Sequence, residues 1–171
     1  MQFLKFISIL LIFLGNLPHK NLVYAEIENP KNYKVFSEVS NKLNISNVDF
    51  YLKQGDKFIK NGDFDKAKNS YLDARQLAKQ LASFYSDLNT SFIGIDARIP
   101  KEMQRKGKQT LQILAESNER LASLYIKTGT PEVAVPLLVE TIRIMSPNSL
   151  EGKEAYKKLI QLGFVETKYK G

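Results

Sequence analysis

From Ser46 onward, apolar residues recur in steps of three and four, the spacing of one face of an α-helix. Ser46-x-x-Asp49 has the form of a capping box ahead of Phe50, Leu52, Phe58 and Ile59. Asn61-Gly62-Asp63 should end this first helix, with Gly62 as the left-handed stop and Asp63 as cap of the next. In the second helix, Ala67, Tyr71, Ala74, Ala78, Leu81, Tyr85, Leu88 and Phe92 alternate steps of four and three. That is the 3.5-residue seam of a coiled-coil-like contact. It predicts a helix over about 64–92, on the order of 40 Å long.

A loop over 94–99 follows, and Pro100 suits the first turn of a third helix reaching Lys127. Leu111, Leu114, Asn118, Leu121 and Tyr125 form its seam, with Gly107 continuing it backward. Two long helices with matching seams and a short connection predict an antiparallel hairpin. Asn118 within that seam reads as a buried amide that fixes register. Gly129 stops the third helix, and Thr130 with Pro131 starts a fourth. Pro136 is expected to kink that helix or delay its start. Ser146-Pro147-Asn148 ends it, and a fifth helix over about 149–162 stops at Gly163. The expectation is an all-α domain over 46–171. The preceding 26–45 stretch is mostly polar, with Phe36, Val39 and Leu43 at helical spacing, and is expected to be a loose extension.

Two stretches overlay at an offset of 67 residues. Gly55, Phe58, Gly62, Ala67, Tyr71 and Ala74 match Ala122, Tyr125, Gly129, Ala134, Leu138 and Thr141. Small residues let paired helices approach, larger ones fill the groove, and glycine makes the turn. With Tyr51 and Leu121 also in register and Pro147 near the close of the second copy, the pattern resembles a tetratricopeptide repeat. The departures are Gln54 before Gly55, Asn118 and Leu138 at aromatic places, and no copy within 80–113. The alternative is a generic bundle of helical hairpins. The resemblance implies antiparallel helical hairpins with elongated inner helices, and a partner-binding concave face made by the first helix of each pair. It assigns to that face Asp49, Leu52, Asp56, Ile59 and Lys60 from one copy and Glu116, Glu119, Ser123, Ile126 and Lys127 from the other. A peptide carboxylate, the best-known ligand of such grooves, would meet Asp56 and Glu119 and is disfavoured. The plain alternative for all ten is a solvated helix face. More faintly, residues 136–167 resemble an uncharacterised group of exported cyanobacterial helical proteins. That implies periplasm or thylakoid lumen and no known activity.

The N-terminal segment agrees with export. Lys5 precedes Phe6–Leu14, a nine-residue run in which only Ser8 is polar, and Val23-Tyr24-Ala25 supplies a compact and a small residue at a cleavage point after Ala25. An uncleaved anchor is the alternative, although a spanning helix needs roughly 20 apolar residues. Loss of residues 1–25 would remove Lys5, Lys20 and the single His19, lowering 25 basic residues to 23 against 18 acidic ones. The chain has no Cys. Ser–His–Asp triads, Cys–His pairs and His- or Cys-ligated metals are then excluded from the remainder. No metal or cofactor is expected.

Lys101, Arg105, Lys106 and Lys108 cluster near the start of the third helix, opposed by Glu102. They suit anionic lipid or an acidic partner, or simply a soluble face. No aromatic-interleaved motif points to nucleic acid. The loop 91–100, SFIGIDARIP, is apolar for a hairpin tip; packing of Phe92, Ile93, Ile95 and Ile99 against the bundle is expected, with a docking patch as alternative. No spacing singles out a carboxylate pair for glycan hydrolysis, and there is no Gly-rich phosphate loop. The expectation is a non-catalytic scaffold or assembly factor that binds another protein. A peripheral protein of the membrane surface is the alternative.

Overall fold

Five helices follow one another in the computed structural model, which describes residues 42–169: α1 (Ile45–Lys60), α2 (Phe64–Ser91), α3 (Arg98–Lys127), α4 (Pro131–Met145) and α5 (Leu150–Gln161). The expected signal segment, its cleavage point and nearly all of the N-terminal extension lie outside the described residues. There is no strand among the described residues, so the fold is all-α. Each helix packs on the next, and α1 also touches α3. The α2–α3 hairpin is the most extensive of these contacts.

Seam spacing explains the core. Ala67, Tyr71, Ala74, Ala78 and Leu81 of α2 are buried with Leu114, Leu121 and Ala122 of α3, Val48 and Leu52 of α1, and Ala134 and Leu138 of α4. Beyond Leu81 the same seam is only partly covered: Tyr85, Leu88 and Phe92 are half-buried. Length supplies the reason. With 16 and 15 residues, α1 and α4 are each about 23 Å long, whereas α2 and α3, with 28 and 30, exceed 40 Å. The short helices cover one half of the long hairpin and leave the other half paired with itself.

The two sequence copies are equivalent in structure. Gly62 and Gly129 take φ of +79° and +80°. At the first, Asp63 N–H donates to the Phe58 carbonyl (2.9 Å) and Gly62 N–H to that of Ile59 (3.1 Å). At the second, Thr130 N–H donates to Tyr125 (2.9 Å) and Gly129 N–H to Ile126 (3.2 Å). This is the Schellman arrangement, in which the left-handed residue directs two donors onto orphan helix carbonyls. It occurs a third time: Gly163 has φ +77°, Phe164 N–H donates to Leu159 and Gly163 N–H to Ile160, both at 3.0 Å. Gly163 lies 34 residues after Gly129. The same glycine stop thus recurs at the end of α5, toward the C-terminal end of the described residues.

Gly55, Ala67, Ala122 and Ala134 are all buried. The small positions trade volume with what they face. A Cβ on Gly55 would stand 2.3 Å from Cε1 of Tyr71, so only glycine fits beneath that ring. In the second copy Leu138 replaces the ring and Ala122 replaces the glycine.

Several expected boundaries move. The cap of α1 is Asn44 rather than Ser46: its Oδ1 accepts the N–H of Asn47 at 2.9 Å, which starts the helix one residue before the serine. Asp63 and Thr130 occupy N-cap positions without side-chain caps. Asp63 pairs instead with Lys66 at 3.5 Å, and the Thr130 hydroxyl donates to the Tyr125 carbonyl at 3.3 Å. Helix α3 begins at Arg98, placing Pro100 within its first turn. Pro136 does not delay α4. It lies inside an unbroken helix on an exposed face, where the carbonyl it leaves without a donor belongs to solvent-facing Glu132. Between α4 and α5, Ser146 has φ +74°. Its carbonyl accepts the Ser149 hydroxyl at 2.9 Å and sits where Gly152 would carry a Cβ, 2.0 Å away.

Candidate functional site

One face each of α1, of α3 from Gln109 onward, and of α5 come together. Between them runs a cleft of about 600 Å³. Ile45 and Asp49 line it from α1, Ile113, Glu116 and Glu119 from α3, and Leu150, Glu151, Glu154 and Lys158 from α5. Five carboxylates thus face one lysine in a chain whose formal net charge is +7. Three of the acids are engaged. Glu116 pairs with Arg120 at 2.7 Å, Glu119 with Lys158, and Glu154 with Lys157 at 4.0 Å. Asp49 and Glu151 have no ion pair among the described residues and stand on opposite walls. Leu150 is largely exposed, so the cleft offers apolar surface beside unspent negative charge.

The structure divides the ten expected face residues. Asp49, Glu116 and Glu119 lie in this cleft. Ile59, Ser123 and Lys127 border a smaller hollow of about 240 Å³ with Tyr71, Arg120 and Glu119. Lys158 links the two: its Nζ donates to Glu119 and to Ser123 Oγ (3.1 Å). Leu52 is a correction. It is only 2 % exposed, turned into the core against α2, because α1 must bury a full stripe to hold the long hairpin. Ile59 and Ile126 are half-buried and pack on the core, so neither stands free as a contact. Lys60 is exposed near the end of α1, apart from the cleft. Lys127 lies 4.9 Å over the ring of Phe64.

Asp56 is half-buried and spent on partners within the fold. Its Oδ1 accepts the Tyr71 hydroxyl at 2.7 Å and Arg120 Nε at 3.1 Å. Burial works to raise its pKa, but these two donors outweigh it and hold the carboxyl below its ordinary value. Burial and the bond to Asp56 push the Tyr71 phenol up. This trio ties α1, α2 and α3 together.

A second tie centres on Asn118, the buried amide expected from its seam position, but its partners Arg75 and Glu140 were not anticipated from the chain. Asn118 is fully buried, its Oδ1 accepting Arg75 Nε at 2.7 Å and its Nδ2 donating to Glu140 Oε2 at 3.1 Å. Arg75 Nη2 reaches the same Glu140 oxygen at 2.6 Å, and Lys79 Nζ the other at 2.9 Å. Burial opposes the charge on Glu140, yet Lys79, Arg75 and Asn118 together bring its pKa down to about 2. The periodicity did carry a signal: Arg75 lies four residues after Tyr71 and Glu140 three after Leu137, both on inward faces.

On the basic cluster, Lys101, Arg105 and Lys108 are exposed at spacings of four and three, on one face of α3. Lys106 leaves that face. It is half-buried, pairs with Glu102 at 2.8 Å and lies 5.8 Å from the Tyr85 ring centroid. At the hairpin tip, Phe92 and Ile99 are half-buried, whereas Ile93 and Ile95 are 64 % and 76 % exposed. The expected packing of all four therefore fails for these two. Gly94, at φ +81°, turns the chain between them and directs both away from the hairpin.

No described helix is long and apolar enough to cross a membrane. Among the described residues no group of three or more His, Cys, Asp or Glu is placed to hold a metal ion. No protein-family model matches this chain, and no curated protein does. What fold and cleft define is a class: an all-α protein of consecutively packed helices with an acid-lined cleft among α1, α3 and α5.

Proposed function

We propose that this protein is a tetratricopeptide-like scaffold or assembly factor that binds a basic, partly apolar polypeptide segment in the α1–α3–α5 cleft. The observation that carries this is the acid-lined cleft itself, with Asp49 and Glu151 unspent on opposite walls beside Ile45, Ile113 and Leu150. An amphipathic helix or strand with Lys or Arg on one edge would satisfy the free carboxylates and cover the apolar strip. The burial of Gly55, Ala67, Ala122 and Ala134 and the recurrence of the glycine stop at Gly62, Gly129 and Gly163 support the family assignment. The leader-like sequence of residues 1–25 supports an exported compartment, periplasm or thylakoid lumen.

The test is fluorescence anisotropy with labelled amphipathic peptides of equal length and opposite charge. Basic peptides should bind, and Asp49→Asn with Glu151→Gln should weaken them about tenfold or more, since each lost charge contact is worth roughly 1 kcal/mol. Equal binding of acidic and basic peptides, or indifference to the double substitution, refutes the proposal. So does turnover of a glycan that Glu116→Gln abolishes, because facing carboxylates would then be acting as catalysts.

A further inference from the structure

The α2–α3 hairpin extends past α1 and α4 by about 18 Å, and its end is chemically unlike the rest of the surface. At the apex, Ile93 and Ile95 are large apolar side chains left mostly in solvent. The nearest acid, Asp96, is already occupied: its Oδ2 accepts Arg98 Nη2 at 2.6 Å and its Oδ1 the Arg98 N–H at 3.0 Å. Behind the apex, Lys101, Arg105 and Lys108 form a row about 10 Å long on one face of α3. None of the three has an ion pair among the described residues. Each cation therefore remains free for an external anion.

We propose that this apex docks on an anionic lipid surface, with Ile93 and Ile95 entering the headgroup–acyl boundary and the row of cations lying over lipid phosphates. A stable protein partner needs roughly 800 Å² from each side, far more than two tip side chains provide. A bilayer asks only for a few inserted side chains and a field of negative charge. The cleft begins at Gln109, next to the end of this row, but its acids on α3, Glu116 and Glu119, lie about two and three turns beyond Lys108, so docking at the apex leaves them open. The apex is independent of the cleft reading and stands if that reading fails.

The chain has no Cys, so a single labelling site can be introduced at will. An environment-sensitive dye is attached to full-length protein at Ile95→Cys and, separately, at Asn61→Cys near the opposite end of the hairpin. Each is mixed with vesicles of phosphatidylcholine alone or with phosphatidylglycerol. The position-specific dye separates apex insertion from any binding by the apolar run Phe6–Leu14. The dye at position 95 should shift to the blue and be reached by a lipid-borne quencher on phosphatidylglycerol vesicles only. In about 1 M salt, where screening acts over about 3 Å, the shift should vanish. Lys101→Gln, Arg105→Gln and Lys108→Gln together should weaken partitioning about a hundredfold with unchanged helicity. The dye at position 61 should stay in water throughout. The proposal is overturned if position 95 stays water-exposed on anionic vesicles, if positions 95 and 61 respond alike, or if the triple variant partitions as the parent does. It is equally overturned if only a protein ligand moves the dye.

Discussion

Replacing Gly55 by alanine sets two effects of opposite sign against each other. In the interior of a helix, Ala is favoured over Gly by about 1 kcal/mol. Against this, the new Cβ would lie 2.3, 2.5 and 2.9 Å from three ring carbons of Tyr71. The ring cannot easily yield. It is 3 % exposed, and its hydroxyl is held 2.7 Å from Asp56, which Arg120 also grips. Overpacking of this kind costs about 1–3 kcal/mol, and displacing a hydrogen bond to a charged acceptor costs about 1.5–3 kcal/mol more. Packing should win, and Gly55→Ala should destabilise by about 2 kcal/mol. The second sequence copy points to the rescue, because buried Ala122 and Leu138 stand there at the matching positions. Tyr71→Leu alone should lose about 2–3 kcal/mol through a cavity and a lost hydrogen bond. Adding Gly55→Ala to it should cost nothing further, giving a coupling of about 2 kcal/mol. Urea unfolding followed by far-UV circular dichroism, with an unchanged m-value, measures all four corners. Stabilisation by Gly55→Ala, or simple additivity in the double variant, would refute the packing argument.

Glu140 carries a pH dependence with a definite sign. Its folded pKa of about 2 lies below the ordinary 4.5, so its contribution is fully present above pH 4.5 and is lost as pH falls from there towards 2. The loss is on the order of 3 kcal/mol. Thermal melts of Glu140→Gln should therefore fall less steeply than the parent's through that window, and parallel curves would remove Glu140 as the cause. Arg75→Met leaves Glu140 and Asn118 buried without their shared donor and should destabilise by about 3 kcal/mol. Lys66→Ala, which breaks the exposed pair with Asp63 and a contact 5.7 Å from the Phe58 ring centroid, should change stability by less than about 1 kcal/mol; similar losses for both would show that burial is not what matters. Gly152→Ala drives a Cβ against the Ser146 carbonyl, a backbone atom with no rotamer to escape into, and should cost about 3 kcal/mol in denaturant unfolding. A neutral result would mean that the α4–α5 turn opens freely.

Local chemistry was legible in this chain and spatial partnership was not. The four-and-three seam of α2, the glycine stops at Gly62, Gly129 and Gly163, and the break at Ser146-Pro147-Asn148 each depend on residues within a few positions of one another. The helices they delimit accordingly lie close to where their spacing predicts. Side-chain caps were less legible. Asn44 and Ser46 are both good caps, and only the bond from Asn47 N–H chooses between them.

The candidate site divides the same way. The resemblance to a tetratricopeptide repeat assigned Asp49, Glu116 and Glu119 to a concave face, and they do line the cleft. It placed Leu52 there too, since residues three apart share a helix face, but a helix that leans on two neighbours buries a wider stripe than one that leans on a single neighbour. Glu151, Glu154 and Lys158 were missed because nothing within α5 announces that it lines a cleft with α1 and α3.

Sequence alone determined the all-α class, the number and approximate ends of the described helices, and the small-residue positions where they approach. These follow from propensities and spacings that act within one or two turns. Tertiary structure alone decided that Asn118, Arg75 and Glu140 meet, that α5 closes a cleft facing Asp49, and that Ile93 and Ile95 protrude. Those outcomes depend on helix lengths and on which faces remain uncovered once the short helices have packed, a balance among elements far apart in the chain.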